Sequence, residues 1–364
     1  GAALKLDYTL TDDFYSDFEP FTWKGQQIFV PDLAIGRLVE TPTEMLAQID
    51  AFLDSDGVVQ ATKAIVAAYS FGTDSANQYC KQLKAAGLES DCSLISETWS
   101  PSSLESGLLK QRSEIAALFG HASHTELEAP IGGVLTANSL LNASADISGT
   151  LVYIIGCQAG LSVPDSNNGL FPTLDWAQGF AGQGAALIAS TGWAYGTAED
   201  IAYMERLMLL LTMQLRTQGI TVGEALRQAK LNYATSIPRM GDAEFSGSHF
   251  DSKTLATATL YGLPMLRIQL PNVVQATEAG EETRPTRQHD AVLANPAAVA
   301  SAQAAGIDTT GWRVSPTIPQ AVVAKAIQLE NLDQIRNRIE IAGKGTYFAM
   351  NGYALVQEGY PIQP

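Results

Sequence analysis

The feature that most constrains this chain is a regular alternation of short apolar runs with longer helical stretches. The runs are Lys63–Ser70, Asp91–Thr98, Glu114–Gly120, Thr150–Gly156 and Gly184–Thr191, and each reads as a buried strand. Helical patterns lie around and between them, over Thr43–Leu53, Ser75–Ala86, Pro172–Ala181, Glu199–Thr217 and Val222–Ala234. Strands alternating with helices predict an α/β fold, a mostly parallel sheet flanked by crossover helices. Local signals agree. Thr41-Pro42-Thr43-Glu44 combines a hydroxyl cap, a Pro and an early acid; Thr73-Asp74-Ser75 offers three capping candidates, and Gly87 suits a left-handed helix end.

The pattern changes after a last strand-like pair, Thr257–Leu260 and Met265–Leu270, which Tyr261-Gly262-Leu263-Pro264 interrupts. A polar stretch, Thr277–Asp290, reads as a linker or exposed loop. An Ala-rich segment, Ala291–Gly306, and strand-like runs such as Gly345–Gln357 follow. The expected organisation is an α/β domain over 1–270, then a linker and small β-containing module over 271–364 without a catalytic constellation.

Composition limits the partners. Of 364 residues 22 are Lys or Arg and 38 are Asp or Glu, a net charge of −16. Nucleic-acid backbones and anionic membranes demand clustered cations, so the balance favours a cationic partner or substrate. The most apolar helical stretch, Leu207–Leu211, lies between Arg206 and Arg216 and falls far short of the roughly 20 residues a membrane span needs, so the chain reads as soluble. Cys80 and Cys92 are close enough in sequence to pair in an oxidising compartment, with free buried thiols as the other reading; Cys157 stands apart.

Ligands of open α/β sheets bind beyond the carboxyl ends of the strands, which directs attention to the residues just after each run. One run ends in Phe119-Gly120-His121-Ala122-Ser123 and a later one in Gly156-Cys157-Gln158-Ala159-Gly160. Strands emerging side by side would set an imidazole and a thiol at one sheet edge. The imidazole can take the thiol proton, and the small neighbours leave backbone N–H groups free for an oxyanion. Taken singly, a Cys at a strand end is often inert and a His there often structural; the pair in one domain is what suggests a Cys–His site.

Four landmarks occur in one order along the chain: Pro31-Asp32-Leu33-Ala34-Ile35-Gly36-Arg37-Leu38, Gly120-His121-Ala122-Ser123, Gly156-Cys157 with Ile188-Ala189-Ser190-Thr191 behind it, and Leu260-Tyr261-Gly262-Leu263-Pro264. Together they resemble the gingipain-like cysteine peptidases of the caspase-like clan, over about Asp7 to Leu270. The resemblance implies a caspase-like α/β domain and a peptidase with Cys157 as nucleophile, His121 as general acid and base, and the N–H groups of Ala122 and Cys157 as oxyanion donors. It implies cleavage after Arg or Lys, with Asp74 facing the basic side chain; a helix N-cap is the other reading of Asp74. Trp193 and Tyr195, just beyond Ile188–Thr191, suit an aromatic wall for that side chain, with core or rim packing as the other reading.

The chain departs from that family in four places. Ala122 stands for a glycine, Leu263 for a common Asp, and Tyr69-Ser70-Phe71 for a stretch that supplies an acid near the catalytic His. Only about thirty residues precede Pro31, where the family carries a further subdomain, so an upstream processed chain or a reduced homologue is expected. His121 would then be oriented by a backbone carbonyl or by Asp74.

His124, three residues after His121, suggests a metal, but no third ligand cluster accompanies it and Glu126 and Glu128 follow in an apparent loop, so zinc is not expected. Asp12, Asp13, Asp17 and Glu19 supply hard oxygen donors, and the resemblance implies structural calcium; solvated acids are the alternative. His249 and His289 read as loop residues. The expectation is a secreted or cell-surface cysteine endopeptidase that needs no cofactor for its chemistry. A catalytically silent peptide-binding module and a transpeptidase using the same dyad are the alternatives.

Overall fold

The computed structural model describes residues 8–275 except 19, 24–25, 163–173, 198–199, 237–238, 241–243 and 246–248, with short strand segments between 293 and 361. Six strands form the central sheet: β1 (Lys63–Ala68), β2 (Glu89–Ile95), β3 (Ile115–Phe119), β4 (Leu151–Ile155), β5 (Ala186–Ser190) and β6 (Ala258–Tyr261). Their order is β6-β5-β4-β3-β1-β2, parallel throughout except for β6. Every residue of β3, β4 and β5 is buried, because helices cover both faces. Strand β2 is the parallel edge; its residues alternate in exposure, and it begins two residues earlier than its apolar content suggests.

Among the described residues seven α-helices accompany the sheet: α1 (Pro42–Asp54), α2 (Thr73–Ala85), α3 (Pro101–Leu108), α4 (Trp176–Gly182), α5 (Tyr203–Gln214), α6 (Val222–Ser236) and α7 (His249–Thr257). One core joins Val66, Ala117, Tyr153 and Ile188 of the sheet to Tyr79 and Leu83 of α2 and to Leu207 and Leu211 of α5. The opposite core joins Ile65, Leu118, Ile154 and Leu187 to Leu104 of α3 and to Trp176 and Phe180 of α4. Alternate residues of each strand thus feed opposite layers.

The caps explain the boundaries. Glu44 accepts from the Glu40 and Thr41 N–H groups at 2.9 and 2.7 Å and starts α1. Asp175 caps α4 by accepting from Gln178 N at 2.8 Å, so that helix begins at Trp176, later than Pro172. Helix α2 is capped at Gly72, not by Asp74, which lies in its first turn. Gly87 has φ 88° and ends α2 in the left-handed region. A disulfide joins Cys80 of α2 to Cys92 of β2.

Three elements depart from the expectations. Helix α3 was not anticipated. Glu126–Ala129 and Gly133–Thr136 form an antiparallel hairpin, so Glu126 and Glu128 belong to a strand instead of a loop. His249 opens α7 instead of lying in a loop. Short strands occur within the tail, among them Ala354–Gln357, which pairs with Tyr8–Thr11. His289, Glu19 and the polar stretch 277–290 lie outside the described residues.

Candidate active site

Strands β3 and β4 are neighbours in parallel register, with Phe119 opposite Ile155. His121 and Cys157 each follow two residues later, so the sheet delivers both to the same edge at the same height. Gly120 N donates to Ile155 O at 3.2 Å and keeps the two chains together past the strand ends. Gly156 is required at this junction: a Cβ there would fall 2.6 Å from the Ala122 methyl carbon and 2.9 Å from Gly120 O. The extra methyl of Ala122 therefore lies over Gly156.

The turn after Cys157 is clamped from behind. Gln158 adopts φ 57°, a left-handed conformation costly for a side chain with a Cβ, and its N–H donates to Gly192 O at 2.6 Å. Gly160 N donates to Ser190 O at 2.8 Å, and the buried Tyr261 hydroxyl donates to Gly160 O. Strand β5 and the Leu260–Pro264 motif thus hold the bend that presents Cys157. That motif also receives the first landmark: Arg37 N donates to Leu260 O at 2.9 Å, Gly262 N donates to Arg37 O at 2.8 Å, and a Cβ on Gly36 would fall 2.3 Å from Gly262 O.

Two backbone donors remain at the edge. Ala122 bridges Leu127 through bonds made by its neighbours, Ser123 N to Glu126 O and Glu128 N to His121 O, both 2.8 Å. In such a pair the central N–H faces away from the partner strand. Among the described residues no backbone hydrogen bond uses the N–H of Ala122 or of Cys157. Both are free to meet a developing negative charge.

The Cys157 thiol is half-buried and directed to Ala194 O at 3.7 Å; burial pushes its pKa up. The His121 ring is exposed and touches Phe71 and Tyr69, with centroids at 5.1 and 5.7 Å. No acid takes its place in the stretch Tyr69-Ser70-Phe71. His124 is half-buried, and burial lowers its pKa.

The match to a family of known chemistry covers residues 5–269: the model of peptidase family C25, the gingipain family, aligns there. The chain belongs to peptidase family C25. It is therefore a cysteine peptidase, a hydrolase, with a sheet consistent with the caspase-like fold. A comparison with curated proteins finds no match.

Near Asp74 lies a carboxyl that the sequence pattern does not single out, Glu205. Asp74 is exposed, with Oδ1 accepting from Ser75 N at 2.7 Å. Close to it, Glu205 in the first turn of α5 is fully buried, and a Cβ on Gly196 would fall 3.0 Å from its Oε1. Gly196 follows Trp193, Ala194 and Tyr195, so Glu205 links the Asp74 turn to the loop behind the thiol. Burial raises its carboxyl to about 7, and Asp74 adds to the rise against the N–H groups of Ala202 and Thr197. Tyr195 packs edge-on against Phe250 of α7 at 4.6 Å, whereas Trp193 is 37% exposed. The sequence hides Glu205 because a helical pattern beginning at Glu199 places residue 205 mid-helix instead of at a cap.

Asp12, Asp13 and Asp17, three of the four acids near the start of the chain, are engaged by protein groups. Asp12 is paired with buried Arg37, with Nε to Oδ2 at 3.1 Å, and Asp13 is paired with buried Lys230 at 2.6 Å. Asp17 accepts from Val30 N at 2.7 Å. These oxygens serve protein cations and backbone, and among the described residues no three His, Cys, Asp or Glu side chains gather as a metal site. No helix among them is long and apolar enough to cross a membrane.

Proposed function

We propose that this peptidase works through an acyl-enzyme on Cys157, with His121 as general base and then general acid, and cleaves after Arg or Lys. The observation that carries the proposal is the register of β3 and β4, which brings an imidazole, a thiol and two unused N–H groups to one edge. His121 takes the Sγ proton as sulfur attacks the scissile carbonyl carbon. The oxyanion forms against the N–H groups of Ala122 and Cys157. The imidazolium then passes the proton to the leaving amine, the C–N bond breaks, and water, deprotonated by His121, hydrolyses the thioester. Burial disfavours a free thiolate, so the proposed route gives the Sγ proton to His121 during attack.

The exposed carboxylate of Asp74, with a partly exposed Trp193 in the loop that follows β5, supports a basic preference. Asp74→Asn keeps size and removes charge. In paired Arg and citrulline substrates, its Arg preference in kcat/KM should fall roughly thirty-fold or more, the cost of losing one side of a charge pair that bound substrate covers from water. An unchanged ratio would retire the basic pocket and leave the dyad standing. We further propose that the protein works in an oxidising, extracellular setting, which the Cys80–Cys92 disulfide supports.

A further inference from the structure

We propose that Phe71 is a positioning residue for His121: its ring, backed by Tyr69, holds the imidazole in the orientation proton transfer requires. The proposal rests on the assignment of His121 as general acid and base. Among the described residues no hydrogen bond or ion pair engages the His121 ring, so ring contacts are what orient it.

The contacts belong to a built aromatic nest. Phe71 lies 5.1 Å from the imidazole at an interplanar angle of 38°, and Tyr69 lies 5.7 Å away at 60°. Tyr69 and Phe71 stack on each other at 5.4 Å; Phe119 meets Phe71 edge-on at 5.3 Å, and Trp99 meets Tyr69 edge-on at 5.8 Å. Trp99 is itself fixed, its Nε1 donating to Ala68 O at 3.1 Å. Two glycines make room. A Cβ at Gly72 would fall 1.8 Å from the Phe119 ring, and one at Gly120 would fall 2.9 Å from the Tyr69 ring. Without a side chain at 72, the turn Ser70–Gly72 settles on Phe119 and carries Phe71 to the imidazole; without one at 120, Tyr69 lies under the residue before His121.

Such rings restrict imidazole rotation by packing, and their faces attract the imidazolium that forms when His121 takes the thiol proton. A carboxylate would supply orientation and charge through one hydrogen bond. The nest supplies orientation through shape, leaving both ring nitrogens open to the thiol, leaving group or water.

The test uses the full chain with Phe71→Leu, Phe71→Met and Phe71→Tyr, reading kcat and KM on a fluorogenic peptide amide and the rate at which iodoacetamide alkylates Cys157. The Leu and Met variants should lose kcat about tenfold or more with KM changed less than twofold, since a misaimed base slows the chemical step. Alkylation should fall with kcat, and Phe71→Tyr should retain at least a third of both. Should one aliphatic variant fail to fold by circular dichroism, the other carries the test. Wild-type kcat in either folded aliphatic variant would overturn the proposal. So would a loss confined to KM with alkylation untouched, which would make Phe71 a substrate wall. His121→Ala is the reference: if it matches wild type in kcat and alkylation, the dyad itself fails, whereas an inactive His121→Ala beside a fully active Phe71→Leu sinks only the role of Phe71.

Discussion

His121 and His124 stand three residues apart, and what separates them is the strand end. His121 leaves β3 in register with Cys157, while His124 sits beyond the bridge at Ala122, with its backbone carbonyl accepting from Trp176 N at 2.9 Å. His121→Ala should therefore lower kcat at least about a hundredfold, and His124→Ala less than threefold, measured on one peptide substrate. Equal losses would show that register does not select the base. The proposed pair, His121 and Cys157, was legible as a candidate in the sequence because each closes an apolar run at the end where α/β sheets place their chemistry. Phe71 and Glu205 were not. An aromatic after a strand reads as core, and an acid in a helix reads as solvated, until tertiary packing sets one on an imidazole and buries the other under a loop.

The strands and amphipathic helices were legible from periodicity, and their ends were set by caps. Helix α7, His249–Thr257, carries six polar or charged residues among its nine and no clear apolar stripe, so only its packing beside Tyr195 and Tyr203 defines it. The hairpin 126–136 has strands of four residues, too short for alternation to stand out. Helix α5 begins where Glu205 draws on Ala202 N, and that carboxyl gives the element a pH dependence. Its folded pKa, about 7, lies above the ordinary 4.5, so the folded state holds the proton more tightly than the unfolded chain. The stabilisation is full below pH 4.5 and is lost as pH rises through 7. Asp74, Tyr79, Tyr203 and Arg206 surround this end of α5, and other carboxyls have the opposite sign, so the comparison must be differential. Between pH 5 and 7.5 the Tm of wild type should fall relative to that of Glu205→Gln. Parallel Tm curves would contradict the burial of an ionisable Glu205.

Across the whole molecule, the four landmarks converge on one structure. The Gly36–Arg37 segment lies against Tyr261, Tyr261 supports Gly160, and Gly160 with Gln158 holds the bend at Cys157. Order along the sequence showed which family the segments resemble; only the sheet shows why they occur together. Two buried ion pairs anchor the turn at Asp12–Asp13, Asp12 to Arg37 of the first segment and Asp13 to Lys230 of α6. Burial raises Asp13 to about 6 and lowers Lys230, so each charge depends on the other. Lys230→Met should cost about 3–5 kcal/mol by stranding Asp13, and Asp13→Leu with Lys230→Met should recover most of it in denaturant melts. A double variant as unstable as the single one would assign the loss to packing.

The central claim is that Cys157 is the nucleophile and His121 activates it. Peptide mapping by mass spectrometry after treatment with an arginyl chloromethylketone tests this most directly. The account predicts one adduct, on Cys157, absent in Cys157→Ala and formed at least tenfold more slowly in His121→Ala. An unlabelled Cys157 in folded protein, or equal labelling rates with and without the His121 imidazole, would contradict it.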